Sequence, residues 1–413
     1  MILPFIDIAC YDTEMLDLET YFLTHRSQIE QWFHAQTQVL PVPFYSSVDV
    51  RDAGFKISAI DTNLFPAGFN NLPLEPIVQY GKRLAETLAV HYPGVKQVLL
   101  IPESHTRNML YFEHLYALVR ILEAAGLTVR IGCLSPMLTQ PIHKELPSGH
   151  TLYLEPLVRN GSALGVADYS PDYILLNHDL SSGVPSELVG LTQTLIPPIA
   201  MGWHQRSKST HFTHYNALAQ GLGEHLGIDP WLISAKHTRC EAIDFMAKTG
   251  LEALQETAAG LLAEVTACYR AHGVSHRPFL VLKANQGTYG MAVMMIQDPA
   301  ELATINRKKR THMATLKGGS RVSDVLIQEG VPSAIALNTH QTTAEPVLCL
   351  AGDTVLNGFY RLHKNKGSYE NLNSPGMSFQ PMAAEEPSYH HQVAARLAAL
   401  AAGQEINDLS QED

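Results

Sequence analysis

Pro278-Phe-Leu-Val-Leu-Lys283-Ala-Asn-Gln286-Gly287-Thr288-Tyr289-Gly290-Met291-Ala292-Val-Met-Met-Ile296 reads as a strand ending in lysine, a turn carrying two glycines, and a second strand. Glycines allow positive φ and close backbone approach, so such a turn can lay its N–H groups over a polyphosphate, with the lysine adding a point charge. By itself the pattern describes any hairpin. It lacks G-x-x-x-x-G-K-[ST] and no helix follows it, so neither a Walker loop nor a Rossmann fingerprint is present.

Three segments downstream give it a context. Val325-Leu-Ile-Gln328-Glu329-Gly330-Val331-Pro332 is an apolar strand turning at Glu-Gly, a hinge whose backbone edge suits a purine. Glu345-Pro-Val-Leu-Cys-Leu-Ala-Gly352 is a strand headed by a carboxylate. Asn357-Gly-Phe-Tyr-Arg361-Leu supplies an arginine, and Tyr369-Glu370-Asn371-Leu-Asn373-Ser-Pro-Gly-Met377 a dense set of oxygen donors. Magnesium, a hard ion, takes one or two such oxygens from protein and the rest from phosphate and water.

Upstream the texture is that of an open α/β sheet. The strand Gln97–Pro102, a helix over 111–125 and a strand over 127–132 give β-α-β alternation. A further strand, Tyr173–Asn177, delivers His178, Asp179 and Ser181 at its carboxyl end, where such sheets bind ligands. Residues 1–40 read as peripheral helix and 238–272 as helix, and Lys308-Lys309-Arg310 as a solvated turn. Between them, residues 41–73 are strand and loop bearing Asp49, Arg51, Asp52, Lys56, Asp61, Asn63, Asn70 and Asn71. The expected organisation is an N-terminal α/β domain over 1–235, an α+β nucleotide- and metal-binding domain over 236–400, and a disordered acidic tail over 401–413.

The 413 residues carry a formal charge of −11, with 46% hydrophobic and 17% charged side chains. That describes a folded chain of two or three domains at about 150 residues each, without the basic footprint of a nucleic-acid binder. No apolar run reaches the roughly 18–20 residues that span a bilayer, and the N-terminus lacks the basic region of a signal peptide. A cytoplasmic protein is expected. Five scattered cysteines form no C-x-x-C pair, so neither a disulfide framework nor a structural zinc site is expected, and the histidines, His390-His391 and His211/His214 included, form no H-E-x-x-H, so no catalytic zinc is expected.

Strand-lysine, glycine loop, Gln-Glu hinge, arginine and N-L-N-S-P-G-M resembles, in order, the ATP-grasp ligases, glutathione synthetase and the D-alanine ligases among them. Those families place E-x-N before the proline. Here Asn371 holds the first position with Glu370 one residue earlier, which leaves open which of Glu370, Asn371 and Asn373 touches metal. The N-terminal string from Asp49 through Asn71, with Ile101-Pro-Glu-Ser-His-Thr-Arg-Asn and Gly202-Trp-His-Gln-Arg-Ser-Lys-Ser-Thr-His-Phe, is similar to the proteobacterial glutamate-cysteine ligase family over roughly residues 1–400.

That resemblance implies an ATP-grasp-like carboxyl half and ATP-dependent joining of the L-glutamate γ-carboxylate to L-cysteine, through a γ-glutamyl phosphate, as the first step of glutathione synthesis. ATP would meet Lys283, Gln286, Gly287, Thr288, Tyr289, Gly290, Gln328, Glu329 and Val331. Mg2+ would take oxygens from Glu345, Glu370, Asn371 or Asn373, and Arg361 with Lys283 would stabilise the transferring phosphoryl group. Arg51, Lys56, Asp61, Asn63, Asn70, Asn71, Arg206 and Lys208 would contact amino-acid substrate. Two alternatives stay open: a related ligase such as glutathione synthetase, and a nucleotide-binding module without ligase activity.

Overall fold

A computed structural model describes residues 16–103, 108–287, 292–314, 321–337, 341–383 and 387–412. In chain order, helices α1 (Leu18–Thr24) and α2 (Arg26–Thr37) precede the hairpin β1 (Ser46–Asp52) and β2 (Ile57–Asn63). Next come α3 (Ile77–His91), β3 (Gln97–Pro102), α4 (Met109–Ala124), β4 (Thr128–Cys133), β5 (Ile142–Glu145), β6 (Thr151–Pro156), β7 (Val158–Asn160), β8 (Ala163–Gly165), β9 (Tyr173–Asn177) and β10 (Thr194–Ile196). Helix α5 (Lys208–Leu226), β11 (His237–Glu241), α6 (Leu251–Ala271), β12 (Leu280–Ala284), β13 (Val293–Ile296), α7 (Arg307–Ala314) and β14 (Asp324–Glu329) follow. The chain closes with β15 (Ala336–Leu337), β16 (Thr342–Ala351), β17 (Thr354–His363), β18 (Met377–Pro381) and α8 (Tyr389–Glu412).

Three main sheets result, and the fold is mixed α/β. The open sheet has order β10-β9-β3-β4-β6-β5, parallel except for the β5 edge. Its β3 residues Val98–Ile101 are fully buried, as parallel strands covered on both faces require. An antiparallel sheet β11-β14-β12-β13 carries the lysine strand and the Gln-Glu hinge as neighbours. Between these lies an antiparallel sheet of order β18-β17-β16-β1-β2.

The central sheet joins the two ends of the chain, with Ser46 opposite Leu350 and Asp49 opposite Val347. A division at residue 235 therefore cuts through one hydrogen-bonded sheet, and the expected two-domain partition is corrected on that point. Alternation on β16 fixes its two faces. Val347, Cys349 and Ala351 pack with Tyr80, Leu84 and Leu88 of α3, while Leu348 and Leu350 pack with Val393, Leu397 and Leu400 of α8.

The acidic end is not a tail, because residues 401–412 are the last turns of α8. Its alanines Ala394, Ala395, Ala398, Ala399, Ala401 and Ala402 are buried, and small side chains let the helix lie close to the sheet. At Gly403 a Cβ would sit 1.9 Å from the Pro41 carbonyl oxygen, so only glycine fits. Three other expectations are corrected. Within residues 18–37, Leu18, Phe22, Ile29 and Phe33 are core rather than periphery. The segment 238–272 opens with β11, which pairs with β14, before α6 begins. Lys308-Lys309-Arg310 lie on α7 rather than in a turn.

Candidate active site

The central sheet sets out charges by strand geometry. Asp49 and Arg51, two residues apart on β1, share a face. Asp61 lies opposite Asp49 on β2, and Glu345 on β16 opposite Arg361 on β17. The antiparallel sheet bearing Lys283 closes over this face. The cavity between them is lined by Asp49, Arg51, Asp61, Lys208, Lys283, Gln328, Glu345 and Arg361, with Phe279, Val281, Val293, Met295, Val331 and Tyr369 as an apolar wall.

Its cations are held by the protein's own oxygens. Arg51 Nε donates to Glu345 Oε2 at 2.6 Å and its terminal nitrogens to the carbonyls of Ser368 (2.9 Å) and Glu370 (2.8 Å). Arg361 forks onto Asp49 at 2.6 and 3.2 Å and also donates to Glu345. Lys208, at the start of α5, reaches Asp61 at 2.9 Å. Lys283 Nζ donates to the Ile60 carbonyl at 2.7 Å and to Gln328 Oε1 at 2.8 Å. Drawn in this way, the groups leave only about 80 Å³ open.

The electrostatics are those of a buried site in which the cations Arg51, Lys208, Lys283 and Arg361 face the carboxylates of Asp49, Asp61, Glu345 and Glu370. Burial pushes Lys283 down to about 8, against the pull of Asp61. Burial also raises Asp49, with Arg361 opposing. Glu345 is held below its usual range because Arg51 and Arg361 outweigh its burial. Lys208 and Lys283 likewise overcome burial at Asp61 and hold it at about 2. Two buried donors on the cavity wall, Arg361 Nε and Gln328 Nε2, have no acceptor among the described residues. Buried orphans are costly, and both would be satisfied by an anionic, oxygen-rich ligand.

A second cavity of about 700 Å³ opens beside the first, between the central sheet and the carboxyl end of the parallel one. Asp49, Asp61, Arg361 and Asn373 line both. Asn63, Asn70, Asn71, Glu103, Tyr111, His114, Asn177 and Asp179 complete the outer chamber. Gly68, at φ 94°, makes the turn that presents Asn70 and Asn71, and a Cβ there would meet the Phe359 ring at 3.0 Å. Asn177 organises the floor. Its Nδ2 donates to Tyr45 Oη (3.1 Å) and the Pro66 carbonyl (2.8 Å), and its Oδ1 accepts from Tyr111 Oη at 2.7 Å. Burial lowers His114 to about 4. The neutral ring accepts from Phe69 N–H at Nδ1 and donates from Nε2 to Asn177.

Several expected site residues lie elsewhere. Lys56 is fully buried on Glu329 at 2.7 Å beneath the Trp231 ring, and reaches neither cavity. The Glu329 side chain is occupied by Lys56, Trp231 Nε1 and the Lys236 N–H, so this residue offers the cavity backbone only. Arg206 is likewise internal, bonded to Glu405 at 2.9 Å, to the Thr62 carbonyl and to His211. Gln286 is exposed and bonds the Gln205 carbonyl. Gly287 does line the inner cavity, whereas Thr288, Tyr289 and Gly290 lie outside the described residues, as do 104–107.

Of the metal candidates, Glu345, Glu370, Asn371 and Asn373 all line the inner cavity. Asn371 Oδ1 caps the Asn373 N–H at 2.9 Å, and the Glu370 carboxylate takes Lys366 and the Gly367 N–H. Asn373 is the candidate common to both chambers. The sequence marks Asp49 as one of several polar side chains over 41–73 able to hold a ligand but gives it no role of its own, although its i, i+2 spacing from Arg51 on an alternating strand carries the signal. On the floor, Asn177 closes the strand whose carboxyl end marks a ligand position, whereas His114 carried no signal.

The sequence matches the family model described as Glutamate-cysteine ligase over residues 19–406. No curated protein matches it at a significant level. Among solved structures it is similar to one assigned as a gamma-glutamylcysteine synthetase from Methylobacillus flagellatus KT, with 39% identity and TM-score 0.88 over 99% of this chain and 100% of that one. A far weaker likeness is to D-alanyl-alanine synthetase A of Vibrio cholerae, at 10% identity and TM-score 0.33 over 76% of this chain and 81% of that one. With the family model spanning all but the ends, the chain belongs to the glutamate-cysteine ligase family.

Proposed function

We propose that the chain joins L-glutamate to L-cysteine at the expense of ATP, with nucleotide in the inner cavity and amino acids in the outer one. The observation that carries this reading is the common wall, Asp49, Asp61, Arg361 and Asn373, where a phosphoryl group can pass from one chamber to the other. Adenine would lie along Phe279, Val281, Val293, Met295 and Val331, with its edge on the backbone of the Gln328–Val331 hinge. The triphosphate would replace protein carbonyls as the acceptor for Lys283 and draw Arg51 from the Ser368–Glu370 loop.

A carboxylate does not accept an amine at neutral pH. An oxygen of the glutamate γ-carboxylate attacks the terminal phosphorus, the bond to the bridging oxygen breaks, and ADP leaves with that electron pair. The amine of cysteine then attacks the carbonyl carbon of γ-glutamyl phosphate, inorganic phosphate leaves, and the amine sheds its proton. Protein catalysis in such a sequence is positioning and charge stabilisation. Arg361, shared by both chambers, meets the phosphoryl oxygens as charge builds, and Lys283 neutralises the nucleotide.

The donor set also fits Mg2+. Glu345, Asn373 and Asp49 offer oxygen ligands of the hard kind that Mg2+ takes. When bound, the ion would screen phosphate charge, and Glu345 and Asn373 would hold it with support from Asp49, Glu370 or Asn371. A reaction consuming ATP and a free thiol suits a reducing cytoplasm, in keeping with free Cys133, Cys240, Cys268 and Cys349.

The test is ADP release with ATP and Mg2+ while the acceptor is varied. Release requiring both glutamate and cysteine is expected. Release with a γ-glutamyl dipeptide plus glycine instead would make the chain a glutathione synthetase, and tight ATP binding without turnover would make it a nucleotide-binding module.

A further inference from the structure

Away from both cavities, the first turn of α8 meets the end of β1. His390 Nε2 and His391 Nε2 lie 3.0 and 2.8 Å from one oxygen, Asp52 Oδ2, while Asp52 Oδ1 accepts the Gly54 N–H at 2.8 Å. One ligand atom from each of the three residues falls within 4.8 Å of the others. The group is well shielded, with the His391 side chain 4% exposed. On its far side His390 Nδ1 bonds Glu19, which also accepts the Tyr389 and His390 N–H groups at 3.1 and 2.8 Å and so caps α8.

The hydrogen-bond chemistry is what singles this cluster out. A carboxylate only accepts, so His390 must donate from Nδ1 to Glu19. In the neutral ring Nε2 then bears a lone pair, and it faces a carboxylate oxygen at 3.0 Å. Two lone pairs so close need positive charge between them, supplied either by the second proton of an imidazolium paired with Glu19 and Asp52 or by a metal ion in its place. A histidine whose second nitrogen is fixed by a carboxylate is the common form of a metal ligand. Two imidazoles and one carboxylate select a borderline ion of the zinc class over magnesium. The contacts of 3.0 and 2.8 Å are hydrogen-bond lengths, shorter than the edge of about 3.3–3.4 Å of a tetrahedron with bonds of about 2.0–2.1 Å, so an ion entering here would spread the donors by a few tenths of an ångström.

We propose that Asp52, His390 and His391 bind one divalent transition-metal ion of the zinc class, positioned by Glu19, which pins α1, β1 and α8 together. The site is structural. It lies in the shielded junction of three elements, and it fixes the end of the strand whose preceding residue, Arg51, faces the reaction cavity.

A second group, Glu103, His178 and Asp179, also gathers donor atoms within 4.8 Å, but Glu103 and Asp179 line the outer chamber and among the described residues the group holds one imidazole. That difference makes the test decisive on the unaltered protein. The chelator-stripped full chain is loaded with one equivalent of Zn2+ and examined by X-ray absorption, where imidazoles are counted by their multiple scattering. Two imidazoles are expected. One imidazole, or oxygen neighbours alone, would overturn the proposal, as would failure to retain Zn2+ against a chromogenic chelator of micromolar affinity. Asp52→Asn and His391→Gln should each weaken retention at least a hundredfold, and Glu19→Gln by about 10–100-fold. Unchanged Zn2+ affinity in folded Asp52→Asn and His391→Gln, judged by circular dichroism, would equally sink it.

Discussion

Gln328 and Glu329 are neighbours on β14, and each receives a lysine, the fully buried Lys56 on Glu329 and the half-buried Lys283 on Gln328. Lys56 meets a carboxylate and lies over an indole ring at 4.1 Å, whereas Lys283 meets two neutral oxygens. Because successive side chains on a strand point to opposite faces, one pair is sealed in the core and the other faces the cavity. The first lysine is neutralised by the fold. The second is left with charge to offer, and burial lowers its pKa to about 8 while it waits. Lysine burial by itself thus says little about role; the charge of the partner decides.

The comparison can be broken most forcefully at Lys56. Lys56→Met leaves the Glu329 carboxylate buried without its ion, and stability should fall by about 3–5 kcal/mol in urea unfolding. Much of that loss should return in Lys56→Met/Glu329→Gln. A neutral single variant would show that the pair is not sealed. Arg361→Ala, on the cavity side, should lower kcat by about 10²–10³-fold, and because it strips Asp49 and Glu345 of a shared partner it should lower the unfolding midpoint as well. An effect confined to KM would remove Arg361 from the transition state.

Lys283→Met should weaken ATP use by the value of a charged hydrogen bond, about 1.5–3 kcal/mol. Since burial opposes its charge, the unliganded unfolding midpoint should hold or rise. Normal ATP kinetics would end its assignment to phosphate. The smallest effect is on pH dependence. The free enzyme loses the Lys283 proton above about 8, so apparent ATP affinity should decline there by at most tenfold per pH unit, and Lys283→Arg should flatten the decline. For stability the sign is the reverse. The unfolded lysine titrates near 10.5 and holds its proton between 8 and 10.5, so this group's contribution improves as pH rises through that window.

Much of the architecture could be read from local pattern. Lys283, Gln328, Glu345 and Arg361 sit on strands whose apolar runs and glycine turns mark them, and these strands do converge. The open sheet was legible for the same reason. What local pattern cannot supply is a partner far along the chain. Lys56 and Arg206 look like loop cations until Glu329, 273 residues away, and Glu405, 199 residues away, are seen to claim them. The acidic end resembled a tail because its charge was visible and the binding site for Glu405 was not. Asp49 stands in the sequence as one polar side chain among several, because burial, rather than composition, gives it its role.

The central sheet also bears on how the molecule comes into being. Strands near residue 50 lie beside strands near residue 350, so during synthesis the early hairpin must wait, with its inner edge unpaired, until most of the chain has emerged. Contacts of such long sequence separation slow folding and leave unpaired edges open to wrong partners. The sheet bearing Lys283 is complete by residue 329, but the central-sheet wall of the inner cavity does not exist before then, and catalytic competence arrives with the final strands rather than building up along the way.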